Sequence, residues 1–168
     1  MSGLFPSANA ATFSACGLYR YRLVRDFGGR RTVAVCMVNP STATAETNDP
    51  TIRRVIAFAS AWGFGRLVVV NLFAYRATDI RELARVADPV GPENDAFIRA
   101  AAAEGEMVVV AWGVKSKLPP ALRTREAEVL ELLAGRELHC VRTTKEGAPE
   151  HPLFLPGHLR PVLFREAV

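Results

Sequence analysis

Cysteine is scarce in this chain and widely scattered. Cys16, Cys36 and Cys140 are an odd number with no C-x-x-C pair, which argues against a disulfide framework and a structural zinc site. Cys36 and Cys140 lie inside apolar runs and read as small core residues. No apolar run approaches the roughly 18 residues of a membrane span. The first fourteen residues have neither a basic segment nor a long apolar stretch, so they do not read as a secretory signal, and the cytoplasm is the expected location. G-x-G-x-x-G and P-loop patterns are missing, as is any metal-ligand spacing, so neither a nucleotide cofactor nor a metal is expected. One-sided charge is also modest. Lys plus Arg number 21 against 17 Asp plus Glu, a net charge of +4. That leans towards anionic partners without by itself specifying nucleic acid.

The 168 residues suit one domain, 1–168, with 1–16 as a loose lead-in. Tyr19 to Arg25 alternates bulky and charged residues, the period of a half-exposed strand, and Asp26-Phe27-Gly28-Gly29 reads as a turn into the apolar run Thr32 to Val38. This predicts an N-terminal hairpin leading into a buried strand. Asp49-Pro50 opens a helix with Ile52, Val55, Ile56, Ala59 and Trp62 at helical spacing. Further strands are expected over Leu67–Val70, Met107–Trp112 and Leu138–Val141. Between them fall a short helix near Ile80–Ala84, a helix from Pro92 and a helix over Pro119–Leu133. The tail from Thr143 reads as loop. Alternating strands and helices predict a three-layer α/β/α fold with a mostly parallel central sheet.

In an open parallel sheet, ligands bind beyond the carboxyl ends of the strands. The residues that follow each apolar run are therefore the informative ones: Asn39-Pro40-Ser41, then Asn71 to Arg76, then Trp112-Gly113, then Thr144 to Pro152 with Lys145 and His151. Asparagine is depleted in strands, so its recurrence at two strand ends points to use, although Asx-type loop capping explains either one alone. Asp49 fits an N-cap and equally a rim carboxylate serving as general base. Arg53 and Arg54 oppose the helix dipole at the start of their helix, which suits an anion site or plain solvation. Arg76, Lys115, Lys117, Arg142 and Lys145 are expected around the same rim, as phosphate contacts or as solvated charges. His139 reads as structural, His158 as surface, and Asn94-Asp95 as a helix cap.

Four of these segments resemble the uracil-DNA glycosylase superfamily: Val38-Asn39-Pro40-Ser41, Val68 to Ala77, Val108 to Gly113 with Lys115 and Lys117, and Glu150-His151-Pro152-Leu153-Phe154-Leu155. The whole chain more closely resembles a bacterial and phage family known as domain of unknown function 1643. That likeness runs through Asn39-Pro40-Ser41-Thr42, Asn48-Asp49-Pro50-Thr51, Asn71-Leu72-Phe73, Arg76-Ala77-Thr78, Asp88-Pro89, Gly91-Pro92-Glu93-Asn94-Asp95, Trp112-Gly113, Thr144-Lys145 and His151-Pro152-Leu153, and it brings no activity with it.

The glycosylase resemblance implies a uracil-DNA glycosylase-like fold and a role in DNA repair. It implies that Asn39 positions a water against the sugar carbon, with Asp49 as the alternative base, and that Asn71 reads the base edge, with Trp112 and Ser41 beside it. It further implies that His151 stabilises charge on the departing base, and that Leu153 and Phe154 form an apolar wedge. Arg53, Arg54, Arg76 and Lys145 would then contact nucleic acid. Two departures stand out. The early motif lacks the aspartate and tyrosine of the most active branch, and Leu153 replaces a phosphate-gripping serine. The expected function is nucleobase recognition, with hydrolysis of an N-glycosidic bond in DNA as the reaction. The alternatives are a non-catalytic nucleic-acid or nucleotide binding module, and a nucleoside or nucleotide hydrolase or transferase. The expected partner is nucleic acid, DNA foremost, or a nucleotide-like small molecule, and no membrane.

Overall fold

Near-continuous β-branched runs produce strands that are buried on both faces, and this chain has three of them side by side. In a computed structural model that describes residues 9–167, β3 (Thr32–Met37) lies between β4 (Arg66–Asn71) and β5 (Met107–Val110), parallel to both. Val35 stands opposite Val69 on one side and Val109 on the other. Parallel β6 (Leu138–Cys140) follows β5. Antiparallel strands flank this centre: β1 (Ala10–Phe13) and β2 (Arg20–Asp26) beside β4, and β7 (Val162–Arg165) beside β6. The order is β1-β2-β4-β3-β5-β6-β7.

Alternate residues of the parallel strands feed two cores. Val33, Val35, Val69 and Val109 pack with Ile52, Val55, Phe58 and Ala59 of α1 (Pro50–Ala61). Ala34, Cys36, Val68, Val70 and Val108 pack with Ile98, Ala101 and Ala102 of α2 (Asn94–Glu104) and Val129 of α3 (Arg125–Leu132). The result is α/β with helices on both faces. Burial pushes the Cys36 thiol up to about 12 and the Cys140 thiol to about 11, which suits inert core residues.

The parallel centre is as expected: four of the seven strands among the described residues are parallel, and antiparallel strands flank them. Other expectations are corrected. The predicted hairpin between Tyr19–Arg25 and Thr32–Val38 does not form, because β4 inserts between them. β3 needs a neighbour on each side to satisfy its backbone. The Gly28-Gly29 turn therefore straddles the start of β4, where Phe27 N–H donates to the Gly65 carbonyl and Gly65 N–H to that of Arg31. The lead-in is not all loose: residues 1–8 lie outside the described part, but Ala10–Phe13 forms edge strand β1. The tail contains a 3-10 turn, Pro152–Phe154, and β7. The helix expected from Pro119 begins at Arg125, after a separate 3-10 turn at Pro120–Leu122. Among the described residues, no helix is long and apolar enough to cross a membrane.

Candidate functional site

The chain leaves β3 through α1 to β4 on one side and then crosses back through α2 to β5 on the other. The strand order thus reverses between β3 and β5, the position at which open α/β sheets bind ligands. A cavity of about 510 Å³ opens there, walled by Asn39, Ser41, Asp49, Asn71, Trp112, Lys117, Arg142, His151 and Phe154, and lined also by Arg20.

Each group is held by its own local device. Asn39 follows β3, and its amide nitrogen donates to the Ala77 carbonyl at 2.7 Å and that of Pro40 at 3.1 Å. The carboxamide oxygen is what remains for chemistry, so Asn39 acts as an acceptor. Asn71 ends β4 and is 2% exposed, and neither atom of its carboxamide has a hydrogen-bond partner among the described residues. Its backbone is clamped: Asn94 Nδ2 donates to the carbonyls of Asn71 (2.9 Å) and Leu72 (3.1 Å), and Arg125 Nε donates to Leu72 at 2.8 Å. Arg125 in turn pairs with Asp95 and Glu128. Asn94 is therefore a buried clamp and not the expected cap. The indole nitrogen of Trp112 is likewise buried without a partner among the described residues.

Asp49 caps α1, its Oδ1 accepting from Ile52 N–H at 2.8 Å. The loop before it is fastened by two buried arginines of β2. Arg25 donates through Nε to Asn48 Oδ1 at 2.7 Å and through Nη2 to the Thr44 and Thr47 carbonyls, and Arg20 Nη1 donates to Ala43 at 3.0 Å. His151 arrives from a returning loop, tied by Glu150 N–H to the Arg142 carbonyl and by Gly113 N–H to that of Pro149. Its Nδ1 accepts from Leu153 N–H at 3.3 Å, which places the proton of the neutral ring on Nε2. Burial, and secondarily Lys117, lower its pKa against the opposing pull of Asp49. The imidazole is thus neutral at pH 7, a donor without charge.

The other expected contacts sit elsewhere. Arg53 donates to the Asn48 carbonyl, and Arg54 to that of Leu155 while lying over the Phe58 ring. Arg76 donates to Gly17, lies over Phe13, and lines a second hollow with Ser41 and Glu82. Lys115, Lys145 and Leu153 do not line the main cavity, whereas Phe154 stands 93% exposed at its edge. His139 is half-buried in β6 beside Glu137, and His158 is exposed. Among the described residues, no group of three or more His, Cys, Asp or Glu side chains gathers as a metal site.

Sequence patterning did not single out Arg20, Arg25 or Arg125. Arg20 sits in an alternating stretch that looks half-exposed, yet it is 2% exposed. For Asn94 a signal existed, in Gly91-Pro92-Glu93-Asn94-Asp95, but the residue pointed inward.

No curated protein and no solved structure matches the chain. One family profile does, covering residues 20–153, about four-fifths of the sequence. Its span begins at Arg20 and takes in the clamp, the cap and His151. The chain belongs to the family described as Protein of unknown function (DUF1643).

Proposed function

We propose that this pocket recognises a nucleobase, on a uracil-DNA glycosylase-like form of the sheet, and that it serves hydrolysis of an N-glycosidic bond. The observation that carries the reading is Asn71. A carboxamide offers a donor and an acceptor side by side, the complement of the amide-type edge of a base. Leaving both atoms of a buried one without partners is costly unless a ligand meets them. A cavity of about 510 Å³ is roomy enough for a base with its sugar.

The neighbours suit the chemistry. Asp49 keeps Oδ2 to take a proton while Oδ1 serves the helix cap. The oxygen of Asn39 orients the same water. The water oxygen adds to the sugar C1′, the C1′–N bond breaks, its electron pair leaves on the base, and the water proton passes to Asp49. The Nε2–H of His151 donates to the departing base where charge collects.

A second reading, hydrolysis or transfer on a free nucleoside or nucleotide, is favoured by a specific placement. Arg54 and Arg76 are engaged with backbone carbonyls and aromatic rings, and Arg53 and Lys145 lie off the cavity. That weakens the expected phosphate-backbone footprint, and with it a purely nucleic-acid-binding role.

The test incubates the protein with single strands and duplexes carrying uracil or other modified bases, and with a nucleoside panel. Alkali-labile sites and free base are measured. Base release that is lost in Asp49→Asn and Asn71→Leu supports the proposal. Full release by Asn71→Leu, or no base-bearing compound bound or cleaved, overturns it.

A further inference from the structure

Three arginines are buried among the described residues, and they are not equivalent. Arg25 donates to Asn48, Val24, Thr44 and Thr47. Arg125 donates to Leu72 and pairs with Asp95 and Glu128. Arg20, at 2% exposure, has Nη1 on the Ala43 carbonyl, but its Nε has no partner, and it joins no ion pair among the described residues. Of the three, it is also the one that lines the cavity.

The geometry points to a second subsite in this cavity, centred on Arg20, that takes a two-oxygen anion, phosphate or carboxylate, carried by the ligand whose base edge meets Asn71. The inference rests on the base-reading proposal for the second half of the ligand only. Nη1 is anchored on the Ala43 carbonyl, which fixes the guanidinium of this cavity-lining residue, and its buried Nε is left without a partner. A planar fork of this kind matches carboxylate and phosphate oxygens. Burial lowers the Arg20 pKa to about 10, against the opposing pull of Asp49, so the group remains a cation at neutral pH. Charge in the cavity agrees. Arg142 is paired with Glu150, His151 is neutral, and Arg20 with Lys117 outweighs Asp49. Arg20 also props the Ala43 loop, and the experiment must separate that role from ligand binding.

Calorimetric titration would compare nucleosides with their 5′-monophosphates, and uracil with uracil-6-carboxylate, at 0.15 M and 0.5 M salt. In the wild-type protein the charged member of one pair should bind on the order of tenfold tighter or more. The preference should persist at high salt, because a buried pair is screened little. A monophosphate preference identifies a sugar phosphate as the source of the anion, and a uracil-6-carboxylate preference identifies a carboxylate on the ring. In Arg20→Gln and Arg20→Lys the charged ligand should fall towards the affinity of its neutral partner, which itself stays unchanged.

Equal binding of charged and neutral members by the wild-type protein overturns the inference whether or not the variants fold. So does a preference that salt abolishes, or equal weakening of both members by the Arg20 variants, which is the signature of a prop. Base discrimination without charge preference sinks the anion subsite and leaves Asn71 reading the base. Charge preference without base discrimination does the reverse. No binding of any probe at millimolar concentration sinks both.

Discussion

The two ends of the sheet are built on opposite rules. At the amino end the chain is closed and its polar groups are matched. A Cβ on Gly65 would stand 2.3 Å from the Gly28 carbonyl oxygen, and one on Gly105 would stand 2.8 Å from that of Met107. Glu104 ties Arg22 to Arg66, and Arg31 pairs with Glu106. At the carboxyl end the backbone is held by Asn94 and Arg125 under β4, yet buried polar atoms among the described residues stay unmatched there, including both of Asn71, Nε of Arg20, Nε1 of Trp112 and Oδ1 of the Asn94 clamp itself. Native interiors rarely tolerate such atoms. Three of these residues, Asn71, Arg20 and Trp112, line the cavity, and on the proposed reading that is where a ligand would satisfy them.

The largest effect should come from the closed end. Gly65→Ala forces a methyl into the Gly28-Gly29 backbone, which cannot rotate away as a side chain would. A loss of about 3 kcal/mol or more is expected, read as a lower denaturation midpoint with an unchanged slope. A loss under about 0.5 kcal/mol would mean that the turn does not pack on β4 as described.

The open end should behave in the reverse way. Asn71→Leu replaces a buried carboxamide without partners by an apolar group of similar shape. Stability should stay level or rise by about 1 kcal/mol, while binding of base-bearing ligands is lost. A clear loss of stability would show that Asn71 is a structural hydrogen-bonder, and the contrast between the two ends would fail.

What the residues disclose in advance follows the same division. The three apolar runs announced the buried strands, because burial on both faces calls for an uninterrupted, Val-rich apolar stretch. The Asp49-Pro50 cap was legible because capping is a local interaction. Strand partners were not legible. Nothing in Tyr19–Arg25 says that its neighbour is β4 and not β3, since that choice is made by β3's need for two parallel partners. The rim placed Asn39, Asn71, Trp112 and His151 together, as the strand ends suggested. The basic residues were harder. A long cationic side chain looks the same in sequence whether it is solvated like Lys145, engaged with a backbone carbonyl like Arg54, or enclosed like Arg20. Only the fold tells them apart.

The mildest way to sharpen the contrast is pH, because the two ends should weaken in different windows. At the rim, burial keeps the folded pKa of His151 below its ordinary 6.5. The unfolded chain then takes up the proton first. Stability is complete above pH 6.5 and declines as pH falls from there to the folded value. At the closed end, Arg22 and then Arg66 hold Glu104 below its ordinary 4.5, against some opposing burial. Its contribution is complete above pH 4.5 and is lost as pH falls through the folded value. Denaturant midpoints measured from pH 8 to pH 3 should therefore show one decline that starts at pH 6.5 and another that starts at pH 4.5. His151→Gln should flatten the upper one alone, and Glu104→Gln the lower one alone. If His151→Gln leaves the slope just below pH 6.5 unchanged, the imidazole is not held neutral in the cavity, and its assignment as an uncharged Nε2 donor goes with it.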